Sequence, residues 1–312
     1  MEKIIPVITI YTPIQDDINT LPVIYQSLRK QTNPYFKWVI INYGSTETIK
    51  SFIDEWKGQR FFSIDYFWMP SEPRHKVTQF AFANIETKYV IGLDGNYYIT
   101  PEAVEIIIET WKQIEQTKKE GDIAEIRALS SDIEGKLIGK SKFNYSEKKF
   151  IDTTWHKMVL KYDNHFEMLA SWNREKFIEC VHFDQYTWHS NEIDNLATML
   201  FWSSIGRKYQ TRYLNKILKI QIQTTSNSKP INIYNIMVSY MYFIDENAAY
   251  FFVKPKHFLK LIVKYIIAGF VTKESFYNLL KNPKSFLFKV LIILLYIPSY
   301  CFYKLSKNRK IK

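Results

Sequence analysis

Cysteine is nearly absent from the 312-residue chain: Cys180 and Cys301 stand far apart, and Cys301 lies inside an apolar stretch. No disulfide framework is therefore expected, and a reducing compartment is the default. The N-terminus, Met-Glu-Lys-Ile-Ile-Pro, lacks both the apolar core and the small-residue cleavage site of a secretory signal, so the main domain is expected to stay in the cytoplasm. Internal repeats and low-complexity tracts are missing, which excludes solenoid and array architectures. Acidic residues are scarce at one end only. From Phe251 to Lys312 there are 13 Lys and Arg against the single acid Glu274, which leaves residues 1–250 close to neutral despite a formal charge of +11. A nucleic-acid groove would place its basic residues on the folded domain, interleaved with aromatics. Here they sit in the tail, which points to an anionic surface and away from nucleic acid.

What is present is apolar and periodic. A content of 46% hydrophobic and 17% aromatic residues excludes a disordered chain and suffices for one large α/β core. Ile4 to Tyr11 reads as a buried parallel strand ended by Thr12-Pro13, and Leu21, Ile24, Tyr25 and Leu28 then fall at helical spacing. Trp38 to Ile41 is a second strand. Gly44-Ser45-Thr46 supplies a turn and an N-cap for a helix that buries Ile49, Phe52, Ile53 and Trp56. Phe61–Trp68 as strand, Val77–Ile85 as helix and Tyr89–Leu93 as strand continue the alternation, which stops at Asp94-Gly95-Asn96. Pro101 is expected to begin a helix capped by Thr100, with Val104, Ile107, Ile108 and Trp111 on one face. Ile123–Leu129 returns to the sheet, 130–163 reads as hairpins and loops with a turn at Glu134-Gly135-Lys136, 195–205 as helix and Thr211–Ile220 as a last strand.

Strands alternating with helices predict a parallel, doubly wound α/β sheet, whose ligand crevice lies outside the carboxyl ends of the strands. That rule alone puts Thr12, Asn42-Tyr43-Gly44 and Asp94-Gly95-Asn96 on one rim. Beyond Ser226 the composition turns to helices rich in Tyr, Phe, Ile and Lys, so the predicted division is a domain over 1–225 and a helical, membrane-associating region over 226–312.

The run Ile8-Thr9-Ile10-Tyr11-Thr12-Pro13, then Leu21-Pro22, Ser27-Leu28-Arg29-Lys30-Gln31-Thr32, Phe36-Lys37-Trp38-Val39-Ile40-Ile41 and Gly44-Ser45-Thr46 closely resembles the opening of family 2 glycosyltransferases. Leu93-Asp94-Gly95-Asn96 resembles that family's DxD segment. Trp202 to Tyr209 and Arg212 to Asn215 resemble the closing part of one bacterial branch. The resemblance implies a GT-A fold that binds a nucleotide-diphospho-sugar and transfers the sugar with inversion to a glycan or lipid-linked acceptor, helped by Mg²⁺ or Mn²⁺ and a carboxylate base. The chemistry is coherent: a departing diphosphate gathers negative charge that a cation stabilises, and the acceptor hydroxyl must lose its proton on the opposite side.

Carried onto this chain, the donor-binding residues are Thr12, Pro13, Asn42, Tyr43, Arg74, His75 and Asp94, and the metal ligands are Asp94 and Asn96. Asn42 and Tyr43 replace a pair of family aspartates, and Asn96 replaces the second acid of DxD, leaving one carboxylate and one neutral oxygen. Thr198 stands where the branch carries glutamate, so the base is sought just upstream: Asp194, with Glu192 as the alternative. Each residue also has a plainer role. Asp94 and Asn42 suit turns, His75 a solvated helix start, Glu192 and Asp194 a helix N-terminus, and Trp172, Trp188 and Trp202 the core. His182 and His189 have no zinc-site spacing. The four lost acids also motivate a different class of function, a non-catalytic relative that serves as a binding or scaffolding partner.

Phe286 to Tyr303 forms an apolar run of about eighteen residues interrupted by Lys289 and Pro298, short of the roughly 20 a span requires. It is flanked by Lys281 and Lys284 before it and by Lys304, Lys307, Arg309, Lys310 and Lys312 after it. Positive charge on both sides favours an anchor on the cytoplasmic face of a membrane over a single span or a buried helix. Such an anchor suits a lipid-linked acceptor and the synthesis of cell-surface polysaccharide.

Overall fold

The computed structural model describes residues 5–15, 18–44, 49–59, 61–117, 121–144, 148–182, 199–222 and 232–309. The chain divides into two compact units, Met1–Phe183 with Ser204–Ser226, and Asp184–Ser203 with Asn227–Lys312.

The first unit is built on a nine-stranded sheet of β1 (Ile8–Ile14), β2 (Phe36–Tyr43), β3 (Ser63–Met69), β4 (Tyr89–Gly92), β5 (Tyr97–Ile99), β6 (Ile123–Ser131), β7 (Phe150–Thr153), β8 (Met168–Asn173) and β9 (Gln210–Gln221). Its order is β3-β2-β1-β4-β8-β6-β9-β5, with β7 also paired to β9. The first four strands are parallel throughout, as the alternating pattern predicts. The second half departs from it: β8 runs antiparallel to β4 and to β6, while β6 and β9 are parallel.

Period-two alternation sorts the side chains of this sheet. Ile8, Ile10, Ile14, Trp38 and Ile40 point to one face and pack with α1 (Leu21–Arg29), α2 (Ile49–Gln59) and α4 (Ala103–Glu115) in one apolar core. The Tyr25 and Trp56 rings stack there at 4.4 Å, and Trp38 and Trp111 are wholly enclosed. Each such indole removes some 200 Å² from water, a gross gain of about 5 kcal/mol. The opposite face carries α3 (Arg74–Asn84) and α5 (Arg174–Cys180), joined by Phe82 stacked on Phe177 at 3.9 Å.

Several expectations shift. β1 does not end at Thr12-Pro13 but runs to Ile14, in register with β2 as far as Asn42. A proline is tolerated there because odd-numbered residues of β1 turn their polar groups toward β4, as the Leu93 N–H donating to the Tyr11 carbonyl shows. The β1–β4 ladder stops at Tyr11–Gly92, so the missing N–H of Pro13 forfeits no sheet bond. α4 starts at Ala103, two residues later than Pro101. Its first turn is held by Gln31, whose side chain accepts from the Val104 N–H at 3.0 Å and donates to the Thr100 carbonyl at 2.8 Å. Within 130–163 the expected turn forms around Gly135, which takes φ 84°, and the strand β7 follows. The helix expected over 195–205 is present as α6 (Met199–Lys208), just before β9.

In the second unit α7 (Ile233–Glu246), α8 (Pro255–Val271), α9 (Phe276–Lys281) and α10 (Phe286–Arg309) bury Met237, Val238, Met241, Phe258, Ile262, Tyr265, Phe288 and Ile292. Asn232 and Ser275 cap α7 and α9 with side-chain oxygens. Asp245 accepts from the N–H groups of Lys284 and Ser285 just before α10. α10 continues through Pro298. Its stretch Phe286–Ser306, 21 residues of mean hydropathy 1.9, is long and apolar enough to cross a membrane.

Candidate active site

Four strands deliver polar residues to the crevice face. β4 is followed by Leu93 and then the turn Asp94-Gly95-Asn96, closed by the Tyr97 N–H on the Asp94 carbonyl at 3.1 Å. The Thr20 hydroxyl donates to the Gly95 carbonyl and the Ile222 N–H to the Asn96 carbonyl at 2.9 Å, so the turn is fixed from both sides. α3 begins directly after Pro73, and its first residue, Arg74, forms an ion pair with the Asp94 carboxylate. The pair is not sealed: the side chains of Arg74 and Asp94 are 29% and 44% exposed.

The surroundings reinforce this pair. Burial alone would raise the Asp94 carboxyl, but the Arg74 guanidinium and, behind it, Lys219 hold it below the ordinary carboxylate value. Burial works against the Arg74 cation too, yet Asp94 with the Tyr11 and Tyr43 hydroxyls keeps it firmly protonated. Tyr11 is itself pushed far above the usual phenol range by burial. Lys219 comes from β9 with its side chain 3% exposed, its ammonium 2.7 Å from Glu167 Oε1 and 4.2 Å from the centre of the Tyr97 ring.

Not all of the rim residues look into this crevice. Thr12 shares the face of Ile10 and Ile14, and its hydroxyl accepts the Trp38 indole N–H at 2.9 Å in the core. Asn42 likewise lies on the Trp38 side, fully buried, and its amide donates to the Tyr66 hydroxyl at 2.9 Å. Tyr43 and Pro13 alternate to the crevice face. Tyr43 is 8% exposed, which leaves little ring surface for a nucleobase. Gly44 follows at φ 85°, and an added Cβ would meet Ser71 at 2.8 Å, so this turn requires glycine. His75, the second residue of α3, is buried, not solvated. Among the described residues its Nδ1 has no hydrogen-bond partner, and burial, with Lys76 adding to it, lowers its pKa. Asn96 sits half-buried beside Asp94. Trp172 packs against Phe82 and Phe177 and donates to Glu125, in keeping with a core role. Glu192, Asp194, Thr198 and Trp188 lie outside the described residues.

Lys219, Glu167, Tyr11 and Tyr97 were not singled out from the sequence. Tyr11 hides in an apolar run. Lys219 carried the better signal, a lysine flanked by Leu218 and Ile220 inside a strand.

A crevice thus lies at the carboxyl ends of β1, β2 and β4, with a half-exposed aspartate in the loop after β4 and the N-terminus of α3 facing it. The chain has the GT-A fold. Residues 1–349 of S. aureus TarS, in complex with UDP-GlcNAc, match it with a TM-score of 0.61 at 11% identity, covering 97% of this chain and 92% of that one. GalNAc-T7 with UDP, GalNAc and Mn²⁺ matches at 0.54 and 13% identity, over 89% and 57% of the two chains. A mannosyltransferase from Pyrobaculum calidifontis, PcManGT with GDP-Man and Mn²⁺, matches at 0.50 and 10% identity over 97% and 84%. No protein-family model matches the sequence, and no curated protein does. At these identities the likeness is one of fold, and GT-A architecture is what the resemblance of the first fifty residues implied.

Proposed function

We propose that this chain is an inverting glycosyltransferase that moves a sugar from a nucleotide-diphospho-sugar to a glycan or lipid-linked acceptor at the cytoplasmic face of a membrane, in the synthesis of cell-surface polysaccharide. The observation that carries the reading is the Arg74–Asp94 pair, open to solvent at the crevice end of a parallel β-α-β scaffold. In the reaction the acceptor oxygen attacks the anomeric carbon, the bond from that carbon to the phosphate oxygen breaks, and the nucleoside diphosphate leaves with the electron pair. The acceptor proton passes to a carboxylate, for which Asp194, or Glu192, remains the proposal. Arg74 offers planar N–H donors suited to phosphate oxygens, and the start of α3 adds the positive end of a helix dipole.

A divalent ion fits this site poorly. Asp94 is engaged by Arg74, Asn96 adds a neutral amide, Glu167 is engaged by Lys219, and among the described residues no three His, Cys, Asp or Glu side chains converge. α10 is proposed as the membrane anchor, since it shows solvent a face of Phe286, Ile293, Leu294, Ile297, Phe302 and Leu305. Transfer or hydrolysis assays with a panel of UDP- and GDP-sugars, run on the full chain, test the activity. Loss of turnover in Asp94→Ala is expected, and a fully active variant removes Asp94 from the reaction.

Thr12 and Asn42, turned inward and hydrogen-bonded in the core, favour a second reading in which the chain binds or scaffolds an active transferase. Calorimetry with UDP, GDP and their sugars separates the two. Binding of a sugar nucleotide with no turnover across the panel would support the second.

A further inference from the structure

Among the described residues the crevice cluster is formally neutral. Asp94 and Glu167 each bring one negative charge, and Arg74 and Lys219 each bring one positive charge. A site for Mg²⁺ or Mn²⁺ is built the other way, with surplus carboxylate charge and several oxygen ligands. At Asp94 a divalent ion would have to displace the guanidinium from the carboxylate and then sit within the field of both protein cations, which repel it.

For a diphosphate the same geometry is favourable. Arg74 gives one N–H direction to Asp94, which orients the guanidinium plane and leaves its other donors for phosphate oxygens. Lys219 is enclosed, so it acts through its field and not by contact. It is held in place by Glu167 and by the Tyr97 ring, in the segment that begins at Asp94. Both cations are held by partners before any ligand arrives, and preorganised charge stabilises a departing anion without reorganisation.

We propose that Arg74, backed by Lys219, supplies the positive charge of the donor site, so that the chain binds a nucleoside diphosphate and releases it as leaving group without a divalent ion. The proposal rests on the donor-binding reading above and fixes how that site is neutralised. Asp94 is then a positioning residue that holds the guanidinium, not a metal ligand.

The test is titration calorimetry of the full-length protein with UDP and with GDP, in EDTA and in Mn²⁺. The affinity of the unaltered chain for whichever nucleotide binds should change less than twofold between the two conditions. Arg74→Gln should weaken binding tenfold or more in EDTA, and Lys219→Met severalfold. Removing the guanidinium frees the Asp94 carboxylate, so Mn²⁺ should recover part of the lost affinity in Arg74→Ala, whereas it adds little to the unaltered chain. If Mn²⁺ tightens binding to the unaltered chain tenfold or more, or if a folded Arg74→Gln binds as well as the unaltered chain, the inference is overturned while the donor site stands. Absence of binding under both conditions overturns the inference and the donor-binding reading together. The comparison on the unaltered chain needs no variant to fold, and thermal melts show whether each substituted protein does.

Discussion

Asp94 lies within the field of the Lys219 ammonium although β4, which Asp94 follows, is separated from β9 by β8 and β6. The short segment after Asp94 makes this possible. It leads directly into β5, which lies on the edge of β9 and pairs Ile99 with Lys219, so that the Tyr97 ring lies against the Lys219 ammonium. The parallel half of the sheet thus contributes the acid and the mixed half the buried cation. Neither half holds the neutral cluster alone.

The Arg74–Asp94 pair should show itself in stability as a function of pH. Because the folded Asp94 carboxyl is held below its ordinary value by Arg74 and Lys219 against the opposing effect of burial, the unfolded chain takes up the proton first as pH falls. The stabilisation is fully present above the unfolded value of about 3.9 and is lost as pH drops through the lower folded value. With both side chains partly exposed, a contribution of at most about 1 kcal/mol is expected. Urea midpoints for the unaltered protein and Asp94→Asn should therefore differ at pH 7 and converge toward pH 2.5. A gap that stays constant over that range would mean that the carboxylate is not held by its charge.

A second network on the crevice face is sealed. Glu125 is fully enclosed on β6, where it accepts from the Trp172 indole and the Thr211 hydroxyl, both at 2.9 Å, and pairs with Arg127 at 2.9 Å. Glu125→Gln keeps the shape and an oxygen acceptor but leaves the buried guanidinium without its counter-charge. Breaking a buried pair in this way costs about 3–5 kcal/mol. Guanidinium denaturation should register most of that loss, and a change below about 1 kcal/mol would show that Arg127 is neutralised by other partners.

The first hundred residues were legible because each strand of the parallel half is a buried apolar run bounded by turn residues, and each helix shows its stripe. Farther along, Ile123–Leu129 and Thr211–Ile220 still stand out as β6 and β9, but elsewhere that contrast fades. β8 is only six residues long, and α5 after it adds about two turns, so neither rises above the polar background around it. β5 has three residues, and its position depends on pairing with a strand more than a hundred residues later. The rim was found by the rule that places ligands at strand ends, but the rule does not say which way a side chain points. Alternation along β1 and β2 does: Thr12 and Asn42 share parity with Ile10 and Ile40, and so belong to the core, whereas Tyr11 and Tyr43 share the crevice. That information was in the spacing all along. Arg74 on Asp94 and Lys219 behind it were not, since both arise from tertiary closure of distant segments.

α10 has two apolar faces with different partners, and this separates anchoring from folding. Phe288 and Ile292 are enclosed within the second unit, whereas Leu294 and Ile297 are largely exposed. In the proposed anchor the basic residues at its C-terminal end, Lys304, Lys307 and Arg309, would each add about 1 kcal/mol near an anionic leaflet. Leu294→Ser with Ile297→Ser should therefore weaken flotation of the full chain with phosphatidylglycerol vesicles at least tenfold while leaving its melting temperature within a degree or two. Phe288→Ala should do the reverse, lowering stability by about 3 kcal/mol through the cavity it leaves while the exposed face still binds. Raising NaCl to 1 M, where screening shortens to about 3 Å, should reduce the charge-dependent part of binding and leave the apolar part. If the unaltered chain stays in the soluble fraction with these vesicles, the exposed face of α10 covers something other than lipid, and the second unit has to be read as a docking module for protein.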